Sequence, residues 1–204
     1  MQLYVTWTSP YARLARIMVL EKGLEDRVEV IKARTRTPDS PYYAVNPSGR
    51  VPYLVRVDGT GMEDSPLICR WLDHLDGAPA FDHPDGDDGW ESRRLVALAR
   101  SLMESVSVRV RMRVLPESER AASTDAHEQA RAQRLLAQFE NEASHPLLTG
   151  PFNMPQISLA IALDLDHRLS DFQWRDDFPA LRAWAANLAD RPSLAATRPP
   201  GLPL

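Results

Sequence analysis

The N-terminal part of the chain alternates between segments that favour β-strands and segments whose apolar residues recur at helical spacing. Residues 2–7 are rich in aromatic and β-branched side chains and end at the turn-like Thr8–Pro10. From Tyr11 to Lys22 the apolar spacing predicts a helix, and Gly23 follows where a left-handed cap ends helices. A second strand is predicted over Val28–Ile31. This order favours a right-handed crossover between two parallel strands.

The pattern continues with a short helix, two strands and a longer helix. The short helix is predicted to start at Asp39–Pro41, and the strands are predicted over Val51–Val57 and Gly61–Glu63. The longer helix carries one apolar stripe, formed by Leu67, Ile68, Trp71, Leu72 and Leu75. The predicted element order is therefore βαβαββα, an α+β domain.

A segment without periodicity separates this domain from a second one. Residues 77–89 are dominated by Gly, Pro and Asp, which predicts a linker between domains of residues 1–76 and 90–204. The second domain is predicted to be an all-α bundle. Its helices are predicted over about 90–114, 118–144, 158–169 and 179–190, with a proline-rich tail from Pro192.

Composition excludes several classes of function. The chain has 204 residues, 44% of them hydrophobic, and a net charge of −4, so no nucleic-acid partner is expected. No stretch reaches the roughly 18 consecutive apolar residues of a membrane span, and the N-terminus does not resemble a signal peptide. A single cysteine, Cys69, allows no intrachain disulfide. We therefore expect a cytoplasmic protein without a membrane partner.

Metal, nucleotide and hydrolase chemistry lack their usual patterns. The histidines do not recur at metal-ligand spacing, and neither lysine lies in a phosphate-binding Gly-Lys-Ser/Thr motif. No Gly-x-Ser-x-Gly elbow occurs. Cys69 lies beside the apolar stripe and is predicted to be a small buried residue rather than a nucleophile.

Three predicted helices begin with Ser followed by Pro, at Ser9, Ser40 and Ser65. A hydroxyl at the N-cap and a proline at the first helical position are favourable there, and for Ser40 capping is a sufficient explanation. Ser9 and Ser65 follow the first and fourth strands, so both helices are predicted to begin at the same end of the sheet. Two helix N-termini with free N–H groups form a site for an anionic ligand.

The segment Asn46–Pro52 places a proline at the very start of a strand, which is tolerated at an edge or in a special turn. A cis Val51–Pro52 bond would explain this position, although the general preference of X-Pro bonds favours trans.

Together these motifs resemble those of the cytosolic glutathione S-transferases. Ser9-Pro10-Tyr11-Ala12 occupies the position of Cys-Pro-Tyr-Cys in redox relatives of the thioredoxin fold, and Asn46–Pro52 matches the loop before the family's cis-proline. Asp64–Ile68 matches its acidic-Ser-x-x-Ile signature, and the segment from Trp174 to Ser193 is similar to that of bacterial members. The resemblance implies a thioredoxin-like N-terminal domain, an all-helical C-terminal domain and a cis Val51–Pro52 bond.

The resemblance also implies roles for individual residues. Ser9 would be catalytic, donating its hydroxyl to the glutathione thiolate, whose formation a helix N-terminus also favours. The implied glutathione-binding residues are Arg50, Val51, Pro52, Asp64 and Ser65. The Val51 backbone would meet the cysteinyl part and Arg50 the glycyl carboxylate. Asp64 and Ser65 would hold the γ-glutamyl end.

A small hydrophobic electrophile is expected to bind near Ser9, at a pocket to which the helical domain contributes. The candidate residues of this pocket are Trp7, Tyr11, Arg13, Arg109 and Met112. Arg13, one helical turn after Ser9, either adds a positive field there or is a solvated or interdomain salt-bridging arginine. Arg109 belongs to a series of arginines that are usually solvated or paired, but near Tyr11 it would favour an anionic co-substrate.

One departure from the family concerns the helix that begins near Ser158. Relatives commonly place an acidic residue three positions after the Ser or Thr that caps this helix, and here that position is Ile161. The capping box is therefore predicted to be incomplete.

Two classes of function remain open. The leading hypothesis is a homodimeric transferase that conjugates glutathione with an electrophile, a detoxification chemistry that implies no metal or organic cofactor. Leu95, Leu98 and Leu102 are predicted to contribute apolar surface to the dimer. The alternative is a non-catalytic binding or regulatory protein of the same fold. A thiol–disulfide oxidoreductase is a weaker reading, because serine at position 9 cannot form a mixed disulfide.

Overall fold

The computed structural model of the chain describes residues 1–83 and 86–199. The chain separates into two compact units, one formed by Met1–Asp82 and the segment that begins at Arg191, the other by His83–Asp190. The strands are β1 (Gln2–Val5), β2 (Glu29–Lys32), β3 (Tyr53–Val55) and β4 (Gly61–Glu63). The helices are α1 (Pro10–Glu21), α2 (Tyr42–Val45), α3 (Ser65–His74), α4 (Asp87–Arg113), α5 (Ala122–Glu142), α6 (Pro146–Thr149), α7 (Met154–Leu163), α8 (Pro179–Ala186) and α9 (Pro192–Ala196).

The four strands form one mixed sheet in the order β2-β1-β3-β4. β1 and β2 are parallel, as predicted, while β3 is antiparallel to both β1 and β4. Tyr4 of β1 pairs with Tyr53 of β3, and Tyr53 pairs with Glu63 of β4. The end of β1, the start of β3 and the end of β4 therefore lie at one edge of the sheet. The predicted βαβαββα order and the α+β class are confirmed.

Helix α1 begins and ends where the sequence predicts. Ser9 is its N-cap, with Pro10 at the first position, and the cap oxygen accepts a hydrogen bond from the Ala12 N–H. Gly23 has a φ of +59°, a left-handed conformation that glycine adopts at little cost. Leu14, Ile17 and Met18 are fully buried, so α1 is a central helix of the first unit.

The start of α3 corrects one sequence prediction. The N-cap is Asp64, whose carboxylate accepts from the Leu67 N–H at 3.2 Å, and Ser65 is the first residue of the helix. The predicted apolar stripe divides into two faces. Ile68 and Leu72 are fully buried, whereas Leu67 is 50% exposed and Trp71 and Leu75 are half-buried. Cys69 is fully buried, as predicted.

The segment after α3 is bonded to the first unit through Asp73. This fully buried carboxylate accepts hydrogen bonds from the N–H groups of Ala80, Phe81 and Asp82, and it lies 3.3 Å from the ammonium group of Lys22. Burying a carboxylate costs free energy unless its oxygens have such partners. The predicted linker, residues 77–89, therefore begins as an ordered part of the first unit, and Pro84 and Asp85 lie outside the described residues.

The second unit is helical, as predicted, with α4 packed against both α5 and α7. The start of α7 in this unit corrects a second prediction, the helix start at Ser158. Asn153 is the N-cap and accepts from the Gln156 N–H at 3.2 Å, whereas Ser158 lies fully buried inside the helix. The Gln156 side chain donates to the carbonyls of Leu147, Gly150 and Pro151 rather than to the N-cap, and the predicted start was four residues too late.

The prediction that three leucines contribute apolar surface to a dimer is wrong for two of them, Leu95 and Leu102. Leu95 and Leu102 are fully buried in the core of the second unit, and Leu98 is half-buried. The i, i+7 spacing of Leu95 and Leu102 reflects packing of α4 against its own unit. Large apolar side chains with substantial exposure, within the described ranges, are Val57, Leu67, Trp90, Val114 and Leu115.

The C-terminal segment differs from its prediction as a proline-rich tail of the second domain. It contains α9 and belongs to the first unit, where it packs on α1. Polar side chains of α1 hold the segment there. Arg13 and Arg16 donate hydrogen bonds to it, and Glu21 accepts from Arg191. None of these partners is close in sequence, so no local pattern predicts the contact.

Candidate functional site

Three segments that carry predicted site residues meet at one edge of the sheet. β1 leads into Ser9, Val51 and Pro52 precede β3, and β4 leads into Asp64. Helices α1 and α3 begin at this edge and pack against each other, so their first N–H groups lie at the same end of the unit. This arrangement provides the partial positive charge of two helix N-termini, which suits an anionic ligand.

Ser9 is half-buried between a turn and a helix. Its N–H donates to the Thr6 carbonyl at 3.2 Å, which closes a turn over Trp7 and Thr8. Its Oγ accepts from the Ala12 N–H at 3.2 Å. The hydroxyl proton is not used by the cap, because a serine oxygen accepts and donates at the same time. Ser9 can therefore cap α1 and donate to a ligand.

The loop before β3 contains the predicted cis Val51–Pro52 bond. The Arg50 carbonyl accepts two side-chain hydrogen bonds, one from the Tyr42 hydroxyl and one from the Asn46 amide at 3.0 Å. Burial raises the pKa of the Tyr42 hydroxyl to about 12. The hydrogen bond from Asn46 lowers this pKa, and the Glu63 carboxylate raises it by a smaller amount. Tyr42 is therefore a neutral donor at physiological pH. These bonds fix the backbone immediately before Val51.

The same loop is tied to the end of β4, a connection that the sequence did not predict. The Asn46 amide donates to Glu63 Oε2 at 3.2 Å, and the Ser48 hydroxyl donates to the same oxygen. The Asn46 carbonyl oxygen accepts from the Ser48 N–H at 3.1 Å. Asn46 is 2% exposed, so its amide is committed to these partners. Glu63 precedes Asp64, but no local pattern indicates a link to a residue so distant in sequence.

Gly49 is required by this loop. Its φ is +66°, and a Cβ at this position would lie 2.7 Å from the Tyr43 ring. A larger residue would force both an unfavourable backbone conformation and a movement of the ring. The loop geometry that presents Val51 thus depends on glycine at position 49.

Asp64 combines an unusual backbone with an exposed carboxylate. Its φ of +80° is rare for a residue other than glycine, and such conformations cluster at functional sites. Its Oδ1 accepts a hydrogen bond from the Leu67 N–H at 3.2 Å, and the residue is exposed at the start of α3. Ser65 is only 3% exposed, so it offers little side-chain surface. Arg50 is exposed beside the loop.

The predicted electrophile residues of α1 and its preceding turn are held in different ways. The guanidinium of Arg16 stacks 4.5 Å from the centre of the Trp7 ring, and Tyr11 is half-buried. Arg13 is 4% exposed and donates to the Leu194 carbonyl at 2.9 Å and the Thr197 hydroxyl at 3.2 Å. These bonds direct Arg13 to the C-terminal segment.

The predicted residues of the second unit belong to α4. Arg109 is fully buried and forms ion pairs with Asp125 at 3.1 Å and Asp171 at 2.7 Å. Arg113 shares both partners. Arg109 is thus a buried, paired arginine, as such arginines usually are. Met112, one helical turn later, is half-buried.

A shallow apolar cleft of about 440 Å³ lies at the opposite end of the sheet from Ser9. Met1, Val57, Trp71 and Leu75 are among its lining residues, and it contains none of the predicted site residues. Among the described residues, no group of three or more His, Cys, Asp or Glu side chains is arranged to hold a metal ion. No helix in the described ranges is both long and apolar enough to cross a membrane.

Comparisons with known proteins agree on one family. Residues 8–75 match the family model described as glutathione S-transferase, N-terminal domain. The chain is 31% identical over 202 residues to the uncharacterized GST-like protein YibF of Escherichia coli K12, covering 98% of this chain and 99% of that protein. It is similar to a glutathione transferase family member from Pseudomonas fluorescens Pf-5 with bound glutathione, with a TM-score of 0.88, 32% identity and 98% coverage of both chains. A structure of a Pf-5 family member with bound S-(propanoic acid)-glutathione has a TM-score of 0.88, 31% identity and 98% coverage of both chains.

Proposed function

The chain belongs to the glutathione S-transferase family, and we propose that it binds glutathione as a thiolate and conjugates it with a small hydrophobic electrophile. One observation carries the proposal. Ser9, with a hydroxyl proton free to donate, lies at the same sheet edge as the cis Val51–Pro52 loop and the exposed Asp64 carboxylate. The glutathione bound to a 32% identical relative of the same fold supports this ligand.

Each end of glutathione has a chemically matched group at this edge. The N–H and C=O of Val51 form a short strand-like edge for the cysteinyl backbone. The exposed Asp64 carboxylate attracts the α-ammonium group of the γ-glutamyl end, and the positive N-terminus of α3 attracts its carboxylate. Arg50 pairs with the glycyl carboxylate. The cysteinyl sulfur then lies toward Ser9 and the N-terminus of α1.

The reaction is a nucleophilic attack by the bound thiolate. The Ser9 hydroxyl and the α1 N-terminus lower the pKa of the thiol from its ordinary value of about 8.5, and the released proton goes to solvent. The sulfur lone pair forms the new C–S bond while the electron pair of the breaking bond leaves with the displaced group. Neither step requires a metal or an organic cofactor. Full activity after exhaustive dialysis against a chelator is the expected outcome.

The test combines binding and turnover. Titration of glutathione to millimolar concentration should change the fluorescence of Trp7, two residues from Ser9, and a Trp7→Phe variant assigns the signal. Turnover of a chloronitrobenzene-type electrophile, monitored by absorbance, tests the transfer step. Ser9→Ala should reduce turnover strongly, while Ser40→Ala, which removes a hydroxyl hydrogen-bonded at the start of α2, should not. Absence of glutathione binding would overturn the proposal.

The same experiment separates the alternative functions. Glutathione binding without turnover of any electrophile would favour a non-catalytic binding protein. Reduction of a glutathione mixed disulfide would instead favour an oxidoreductase, a chemistry that Ser9 cannot perform as a nucleophile.

We also propose that the protein is a homodimer, as the family resemblance implies. The outward stripe of α3, formed by Leu67, Trp71 and Leu75, supports this proposal because its spacing of four residues presents apolar side chains along one face. A two-fold interface that covers this stripe would remove exposed apolar surface from water.

A further inference from the structure

The C-terminal segment Arg191–Thr197 runs along α1 in the opposite direction. At its start, the Arg191 guanidinium donates to both carboxylate oxygens of Glu21, at 2.7 and 2.6 Å, at the last residue of α1. At its end, Thr197 contacts Arg13 in the first turns of the helix and Arg16 at its middle. The segment therefore reaches from the far end of α1 toward the end that carries Ser9.

Two neighbouring arginines obtain hydrogen-bond acceptors from this segment. The Leu194 carbonyl and the Thr197 hydroxyl accept from Arg13, and the Thr197 carbonyl accepts from Arg16 at 3.1 Å. Burial lowers the pKa of Arg16, and the adjacent charge of Arg13 lowers it further. Two like charges in a partly buried place need such acceptors. The segment therefore fixes where the Arg16 guanidinium lies.

The other side of Arg16 faces the turn that precedes α1. Its guanidinium lies over the Trp7 ring, 4.5 Å from the ring centre. Trp7 is the second residue of the turn that the Ser9 N–H closes on the Thr6 carbonyl. A cation held over an indole ring is the strongest form of this interaction, and it restrains the ring in position.

We propose that Arg16 is a positioning residue for Ser9, held in place by the Thr197 carbonyl and acting through Trp7. The inference rests on the proposed function for the role of Ser9 as a thiolate donor. Arg16 touches no reacting atom. It restrains the turn from Thr6 to Ser9, so that the hydroxyl proton of Ser9 points to one place rather than sampling several rotamers.

A matched pair of variants tests the proposal without reference to activity. Arg16→Met keeps an unbranched side chain but loses the hydrogen bond to Thr197 and the stacking on Trp7. Arg191→Met breaks the contact of the same segment at the other end of α1. Amide hydrogen exchange of the ligand-free protein should become about ten-fold faster at Trp7–Ser9 in Arg16→Met, and should stay at the wild-type rate there in Arg191→Met. Wild-type exchange at this turn in Arg16→Met would overturn the proposal.

The second readout uses bound glutathione. In Arg16→Met the pKa of the bound thiol should rise toward that of free glutathione, and kcat should fall about ten-fold with a smaller change in the KM for glutathione. Arg191→Met should leave the thiol pKa at the wild-type value even if its thermal stability falls. A shift of equal size in both variants would show general destabilisation and overturn the positioning role.

A third variant separates stacking from charge. Arg16→Lys keeps a positive charge and a donor, but an ammonium group lacks the planar face and fork of a guanidinium. Its exchange rate and thiol pKa should lie between those of the wild type and Arg16→Met, and wild-type values in Arg16→Lys would overturn the stacking on Trp7 as the restraint. Failure of the wild-type protein to bind glutathione would remove the proposed function, yet the exchange result on the turn would still decide whether Arg16 restrains it.

Discussion

At the scale of single residues, the hydroxyl of Ser9 serves two purposes with different atoms. Its oxygen accepts from the Ala12 N–H, which stabilises α1, and its proton is left for a ligand. Asp64 likewise caps α3 through Oδ1 while its side chain lies at the surface. At this edge of the sheet, helix capping therefore places the polar groups proposed to bind glutathione.

Replacing Ser9 with Ala should separate the two purposes. The lost cap should lower the free energy of unfolding by ~1 kcal/mol. The lost donor should raise the pKa of bound glutathione and reduce kcat by about 100-fold, a loss typical of removing one hydrogen bond to a developing anion. Chemical denaturation measures the first effect, and the pH dependence of thiolate absorbance in the complex measures the second.

Ser9→Asp is the control for this experiment. Aspartate caps helices as well as serine does, but its negative charge beside the sulfur opposes ionisation of the thiol. We expect wild-type stability with little activity. If Ser9→Ala instead kept the wild-type kcat and thiol pKa, Ser9 would be only a cap, and Tyr11 or the α1 backbone would have to stabilise the thiolate.

Asn46→Ala tests the network that holds the Val51 loop. The substitution removes donors from the Arg50 carbonyl and Glu63, and an acceptor from the Ser48 N–H. The free energy of unfolding should fall by about 1–3 kcal/mol, because buried polar groups lose their partners. The Kd for glutathione, measured by calorimetric titration, should rise. Tyr42→Phe, which removes one donor and leaves Asn46 in place, should have the smaller effect, and unchanged affinity in Asn46→Ala would contradict this role.

At the scale of elements, helix starts show what the sequence could predict and what it could not. The start of α1 was found because Ser9-Pro10 precedes a clear apolar period. The start of α7 does not follow from the sequence pattern, because the helix is apolar on nearly all sides and its hydrophobic spacing marks no single face, so Ser158 is the wrong cap. The signal that marks the true start is Asn153 followed by Pro155, a capping residue and an early proline.

Two substitutions in α7 should have opposite signs. Asn153→Ala removes the acceptor of the Gln156 N–H and the donor to the Leu147 carbonyl, and should destabilise the protein by about 1–2 kcal/mol. Ser158→Ala removes a buried hydroxyl that has no hydrogen-bond partner, and should leave stability unchanged or increase it. Thermal and urea denaturation check both. Destabilisation by Ser158→Ala with a neutral Asn153→Ala would restore the sequence-based cap.

The contact between Glu21 and the C-terminal segment should make stability depend on pH. Burial alone would raise the pKa of Glu21, but hydrogen bonds from Arg191 and Ser193 bring it below its ordinary value of 4.5. Because the pKa is lower in the folded state, this stabilisation is present above about pH 4.5 and is lost as the pH falls through the folded pKa. Glu21→Gln should therefore be less stable than the wild type at neutral pH, and the difference should shrink in acid.

The matched control is Glu25→Gln, since Glu25 is an exposed residue shortly after α1. Urea denaturation across the acidic range should give parallel curves for the wild type and Glu25→Gln. A deficit of Glu21→Gln that stayed constant from neutral pH to about pH 3 would argue against an ionised Glu21 as the partner of Arg191.

At the scale of the whole molecule, the sequence predicted what depends on local periodicity and missed what depends on distant pairing. Hydrophobic periodicity and turn residues predicted the order of strands and helices. The family motifs predicted that Ser9, Val51 and Asp64 belong to one site. The hydrogen bonds of Arg13 could not be predicted, because their acceptors lie near the opposite end of the chain. The place of the segment from Arg191 in the first unit depends on the same distant pairing, because its carbonyls accept from Arg13 and Arg16 of α1.

The expected homodimer is tested at this same scale. Because Leu95 and Leu102 are buried within the second unit, their truncation should destabilise the fold by about 2–5 kcal/mol. Truncating the exposed apolar side chains of α3 should affect association rather than the stability of the fold. Leu67→Ala with Trp71→Ala should leave the folded unit largely intact but weaken association, since Leu67 is 50% exposed. In sedimentation velocity at micromolar concentration, the wild type should have twice the 23.0 kDa mass of one chain. A wild-type monomer would contradict the dimer, and a dimer unaffected by the double substitution would exclude the α3 stripe as its interface.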